Sequence, residues 1–223
     1  MKILALELSS ARGSLAWSDG DNTDFVCDWP NDRKNSGPFF EYLVEVQKKF
    51  GRPDTIIVGL GPGSYAGTRI AISAAIGLSI GGRSAVNASA DWTAQRVGHD
   101  SARPSIRLIG FPSICAIECD AGEYCVIGDA RRQTFFFARI RDNNLAEGPT
   151  LMPEAELREN LGKVGRTMSI FAIEKLPQFE RAQIRYPSAK VLARLAQDVN
   201  RNFAQPPLEP MYLREPHITV PKR

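Results

Sequence analysis

The feature that most limits what this chain can fold into is a repeat in the order of its hydrophobic patterns. Residues 2–8 are a short apolar run that reads as a buried strand, and Ser9-Ser10-Ala11-Arg12-Gly13 is a small polar turn. Residues 14–17 resume as a second strand. Asp19-Gly20-Asp21-Asn22 is a hairpin signal, and Phe25, Val26, Cys27 and Trp29 make a third strand. The period then changes. Phe39, Phe40, Leu43, Val46 and Phe50 recur at three and four, which predicts a helix over 36–50 with Asn35 or Ser36 as its cap and Pro38 in its first turn. Gly51-Arg52-Pro53 stops it. A β-branched strand over 55–60, a tight turn over 61–67 and a second helix over 68–82 complete the order βββαβα.

The second half runs through that order less clearly. Strands are predicted at 125–128, 134–140 and 146–152, with turns at 130–133 and 142–144. A helix over 153–161, a strand over 167–173 and a helix over 188–203 follow, the last with Val191, Leu192, Leu195 and Val199 on one stripe. In both halves an acid closes the first strand, Glu7 and then Asp129, which points to a duplicated unit. Two tandem βββαβα lobes are the α/β topology of the actin-like (ASKHA) fold. The expected lobes are 1–100 and 101–223, the second degenerate, with residues 100–123 as a Pro-rich joint fitting neither copy.

Composition agrees with a folded chain. Apolar residues are 43% and charged residues 24% of 223, far from a disordered profile. A net charge of +3 is too weak to argue for nucleic acid by itself. No run of about 20 apolar residues exists, so no membrane span is expected. Glu7 comes too early for a signal peptide. Cys27, Cys115, Cys119 and Cys125 make no Cys-x-x-Cys pair, His99 and His217 stand alone, and no metal site is expected. Free thiols fit a reducing cytoplasm.

Gly61-Pro62-Gly63-Ser64-Tyr65-Ala66-Gly67-Thr68-Arg69 follows a strand and opens a helix, a place where backbone N–H groups can meet an anion. It is no P-loop, because no Gly-Lys-Ser/Thr follows, and its glycine spacing is wrong for a dinucleotide turn. The same turn equally serves as a tight strand-to-helix reversal. The helix after it carries no charge from Ile70 to Gly82 and so needs cover on every side. Ala71, Ala74 and Gly77 give a small face; Ile72, Ile76 and Ile80 give a bulky one. The bulky face is assigned to the core and the small face to a close helix contact with a partner.

The string Val58-Gly59-Leu60-Gly61-Pro62-Gly63-Ser64-Tyr65-Ala66-Gly67-Thr68-Arg69-Ile70 resembles the signature of the bacterial TsaB (YeaZ) family. Ile3-Leu4-Ala5-Leu6-Glu7-Leu8-Ser9-Ser10, Asp129-Ala130-Arg131-Arg132 and Pro210-Met211-Tyr212-Leu213-Arg214 agree in order, so the resemblance covers nearly the whole chain. It implies a cytoplasmic, non-catalytic subunit in the formation of N6-threonylcarbamoyladenosine at position 37 of ANN-decoding tRNAs. The implied partners are TsaD and TsaE homologues, with self-pairing when alone and tRNA met only through the complex. Pairing would run through the first two helices, which here carry Phe39, Phe40, Leu43, Val46, Arg69, Ile70, Ala71, Ala74 and Gly77. Several positions depart from the family pattern: Glu7 for Asp, Ala66 for Thr, Asn35 for His, Thr134 for Glu, and a longer 101–123 segment.

A working actin-like kinase needs carboxylates on both phosphate turns to hold Mg²⁺ and glycines to cradle phosphate. Glu7, Ser9 and Ser10, with Gly61, Gly63, Ser64, Gly67 and Asp129, are the candidate anion or nucleotide loops. Against that, Ala130-Arg131-Arg132 supplies no glycine, and Glu174-Lys175-Leu176-Pro177 offers no glycine turn. No cofactor is expected. A small-molecule kinase or a hydrolase of actin-like fold is the alternative, though two isolated histidines suit a hydrolase poorly.

Overall fold

A computed structural model describes residues 1–20, 22–31, 36–81, 105–165 and 167–214. Asp21 and Asn35, His99 and His217 lie outside the described residues, and so does any capping by Asn35. Strands β1 (Lys2–Glu7), β2 (Arg12–Asp19), β3 (Asn22–Pro30), β4 (Thr55–Gly59) and β5 (Arg107–Phe111) form one sheet in the order β3-β2-β1-β4-β5. Strands β6 (Glu123–Asp129), β7 (Thr134–Arg141), β8 (Asn144–Pro153), β9 (Ser169–Ala172) and β10 (Gln183–Ile184) form a second in the order β10-β9-β6-β7-β8. The two sheets have the same plan. Each first strand pairs antiparallel with a hairpin partner on one side and parallel with a later strand on the other. The duplication expected from the two acids is therefore a duplication of sheet topology.

Alternation along each strand sends side chains to two faces, and each face has its own cover. Leu4, Leu6, Leu15, Trp17, Ile56 and Val58 pack with Phe39, Leu43 and Val46 of α1 (Gly37–Phe50) and with Ala71, Ile72 and Ala75 of α2 (Tyr65–Gly81). Phe50 stacks on Trp17 with ring centres 5.3 Å apart. Gly51 then ends α1 at φ 78°, over the basic last turn of Lys48 and Lys49. In the second lobe Cys125, Ile127, Phe135 and Phe137 pack with Leu157 and Leu161 of α3 (Glu154–Lys163). Ile3, Ala5, Ile57 and Ile109 of the first sheet meet Tyr124, Val126, Phe136 and Ala138 of the second across a shared core. The helix α4 (Ala189–Leu195) fills that middle layer with Val191 and Leu192. The backbone N–H of Ala189 donates to Ser14 Oγ of β2 at 2.8 Å.

Four expectations need correction. The helix predicted over 188–203 stops at Leu195, and the chain turns so that Ala204 bridges Gly110 at the edge of the first sheet. Its stripe positions Val191, Leu192 and Leu195 are buried, but Val199 is 80% exposed. The 100–123 joint contains β5 and a 3-10 turn at Ser113–Ala116. Because β5 belongs to the first sheet, the first lobe extends beyond residue 100. The last helix of the second lobe packs across to the first sheet, and β9 joins the two-residue β10 through a loop, not a helix.

Candidate functional site

The matching turns of the two lobes face one another across a cleft of about 820 Å³. Ser9, Ser10, Gly63 and Ser64 line it from the first lobe, and Asp129, Arg131, Arg132 and Glu174 line it from the second. Pro210–Arg214 closes one side as a strap. Met211 N–H donates to the Leu60 carbonyl at 2.8 Å, tying the strap to the first lobe. Arg214 Nη2 reaches the second lobe, donating to the Arg131 carbonyl at 3.1 Å and to Thr134 Oγ1.

The glycine turn is built against the first turn. Ser64 N–H donates to the Ser9 carbonyl, and a Cβ at Gly63 would run into that same carbonyl. A Cβ at Gly67 would likewise meet the Leu8 carbonyl, so this close approach is why glycine stands at both positions. Gly61 turns the chain at φ 91° and is held on both backbone groups by Ser113: its N–H donates to Ser113 Oγ at 2.9 Å and its carbonyl accepts Ser113 N–H at 2.7 Å. Ser64 Oγ accepts Gly67 N–H at 3.3 Å and so caps the start of α2. Asn31, which the sequence did not flag, braces the first turn by donating to the carbonyls of Leu8 and Ser10 at 3.1 and 2.8 Å.

Glu7 does not reach the cleft. It is fully buried; its Oε1 accepts Ser9 N–H at 2.6 Å, while Oε2 has no hydrogen bond of good geometry. Burial pushes its carboxyl above the usual range, against the opposing pull of the Ser9 and Ser113 hydroxyls. Of the eight candidate loop residues, Ser9, Ser10, Gly63, Ser64 and Asp129 line the cleft; Glu7, Gly61 and Gly67 stand behind its wall. Across the cleft Asp129 accepts Arg131 N–H at 2.6 Å, and its carboxylate lies 3.6 Å from the Arg131 guanidinium. Arg131, Arg132 and Gln133 take three successive left-handed conformations, at φ 68°, 54° and 60°. Side-chain-bearing residues pay about 1 kcal/mol or more each for that. Of the three acids at these turns, Glu7 is walled off, Asp129 lies against Arg131 and Glu174 accepts Asp129 N–H at 3.2 Å, an arrangement that fits a metal-bound nucleotide poorly.

The outer faces of α1 and α2 also differ from expectation. Phe39, Leu43 and Val46 are core residues, 0%, 6% and 0% exposed; the apolar side chains that α1 shows outward are Phe40 and Val44. On α2, Ala71 is fully buried and Ile72 nearly so, Ile70 and Ala74 are half-buried, and Arg69, Ile76, Gly77 and Ile80 face out. The split of α2 into a small outer face and a bulky inner one is therefore wrong. The sheet lies close under α2, where small side chains fit, and isoleucines are left outside. Tyr65 and Tyr212, with ring centres 5.0 Å apart beside the cleft, were also missed. The only signal for Tyr212 was its place in the Pro210–Arg214 string.

No protein-family model and no curated protein matches this chain. Solved structures do. YeaZ from Pseudomonas aeruginosa superposes with a TM-score of 0.68 at 17% identity, over 95% of this chain and 99% of that one. A structure described as an uncharacterized protein with similarity to peptidase YEAZ from Pseudomonas aeruginosa gives 0.67 at 17% identity, over 96% and 99%. The chain shares the YeaZ fold over about 95% of its length.

Proposed function

We propose that this chain is a non-catalytic scaffold and activator in the assembly that forms N6-threonylcarbamoyladenosine at position 37 of ANN-decoding tRNAs. It would act in the cytoplasm, pairing through α1 and α2 with a TsaD homologue, alongside a TsaE homologue, and with a second copy of itself when alone. The observation that carries this reading is the outer surface of those two helices on a YeaZ-like fold. Phe40, Val44, Ile76 and Ile80 are 47%, 48%, 40% and 62% exposed. Large apolar side chains at such exposure on two helices over one sheet face favour a covering partner.

The cleft supports the non-catalytic half. Glu7 is buried away from it, and neither the Asp129 turn nor the segment after β9 supplies a glycine cradle. A chain so built turns over ATP with Mg²⁺ at background; turnover abolished by Asp129→Asn would favour the actin-like kinase instead. The decisive experiment is co-purification with the TsaD homologue of the same organism and restoration of the modification in a depleted extract. Failure of both, with the chain folded, sinks the proposal.

A further inference from the structure

We propose that the mouth of the cleft binds an unpaired nucleotide of RNA directly, its base on the Tyr65–Tyr212 pair and its phosphate on Arg132. Tyr65 opens α2 and Tyr212 sits on the strap. Their rings are tilted by 32°, and they are 49% and 46% exposed. The Arg69 guanidinium lies 5.1 Å from the Tyr65 ring centre and donates to its hydroxyl at 2.8 Å. A half-exposed aromatic pair backed by a guanidinium is a stacking platform for a planar base.

On the second-lobe wall Arg132 is exposed and makes no ion pair or side-chain hydrogen bond among the described residues. The other charges of the wall are engaged. Arg131 lies against Asp129, Arg214 spans Arg131 and Thr134, and Glu174 accepts Asp129 N–H at 3.2 Å. Arg132 is thus the guanidinium left for a phosphate, held in a left-handed turn that fixes where it stands.

The same walls separate a strand from a free polyphosphate. A nucleoside triphosphate brings Mg²⁺ and needs free carboxylates; Glu7 is walled off, Asp129 lies against Arg131, and Glu174 accepts Asp129 N–H. A phosphodiester needs a guanidinium only. A paired base is already stacked on its neighbours and cannot use the platform. The choice of RNA rests on the function proposed above; the base-and-phosphate chemistry does not.

The test is fluorescence anisotropy of the full chain, without any partner protein, against a labelled unpaired RNA of about twelve nucleotides, a length within common single-strand site sizes. Saturable binding that weakens with salt is expected. Tyr65→Ala and Tyr212→Ala should each weaken it roughly tenfold, and Tyr65→Phe, which keeps the ring, should weaken it less than Tyr65→Ala. Arg132→Ala should lower the slope against log salt by about 0.7. Circular dichroism establishes that each variant is folded; if Tyr65→Ala is not, Tyr212→Ala carries the base arm. No binding by the unaltered chain overturns the proposal. So does binding that ignores both the tyrosine and Arg132 changes, equal binding of the duplex, or displacement by equimolar AMP or ATP. Loss of TsaD pairing with RNA binding intact would count against the function proposed above and leave this site standing.

Discussion

Glu7 ends β1 in a space that Gly59 makes available, since a Cβ there would collide with the carboxyl. Its raised titration has a definite sign. A carboxyl that holds its proton more tightly when folded gives stability that is full below its unfolded value of 4.5 and is lost as pH rises through the folded value. Glu7→Gln keeps the shape and removes the charge. At neutral pH it should match or exceed the parent by about 1–3 kcal/mol, the cost of an unsatisfied buried group. Urea melts at several pH values check this; a Glu7→Gln protein with the parent's pH slope would mean that Glu7 titrates alike in the folded and unfolded chain. Gly59→Ala should cost at least about 1–3 kcal/mol through overpacking against the carboxyl, read in the same melts.

The two faces of α2 respond oppositely to the same substitution. Ala71→Arg puts a long cation into a fully buried position and should cost several kcal/mol, enough to lose the thermal transition. Ile76→Arg acts on an exposed side chain and should change stability by about 0.5 kcal/mol or less while abolishing self-association in light scattering. An Ile76→Arg protein that still pairs would release α2 from the partner surface. The sequence made α1 and α2 legible as helices because their apolar patterns and their breakers, Gly51-Arg52-Pro53 after α1 and Gly61–Gly67 leading into α2, are local signals. It led to the wrong faces for α2, because a helix without a polar side has no side that points to water. Helix 188–203 was overextended for a related reason: Val199 keeps the period after the backbone has already turned. The strand β5 was missed because its five residues follow a long stretch without pattern, and only pairing with β4 makes it a strand. In the cleft, the residues nearest the glycine turn were legible. Asn31 was not, since tertiary contact alone brings it there, and Tyr212 and Arg214 were marked only by the Pro210–Arg214 string.

The described residues form a stack: α1 and α2, the first sheet, α4, the second sheet, and α3. Among the described residues the strap is a further tie between lobes at the cleft. Leu208 is buried in the core of the first lobe, and Arg214 ends on the second. Cutting the chain before Leu208 should remove a buried leucine and the cross-cleft hydrogen bonds together, at about 2–5 kcal/mol for the leucine alone. Hydrogen exchange should then rise at the Ser9–Ser10 and Arg131–Thr134 turns; unchanged protection there would mean that the strap lies on the lobes without holding them.

The middle layer also sets a timetable. The helix α4 closes against β2 through a hydrogen bond spanning 175 residues, from Ala189 to Ser14. As the chain leaves the ribosome, β1 to β5 emerge with Ile3, Ala5, Ile57 and Ile109 bare on one side. They stay so until almost the whole polypeptide has been made. Translation proceeds at roughly 5–20 residues per second, so that interval lasts on the order of ten seconds. For that time the half-made protein carries a bare apolar sheet face, the kind of surface that makes a nascent chain prone to aggregate.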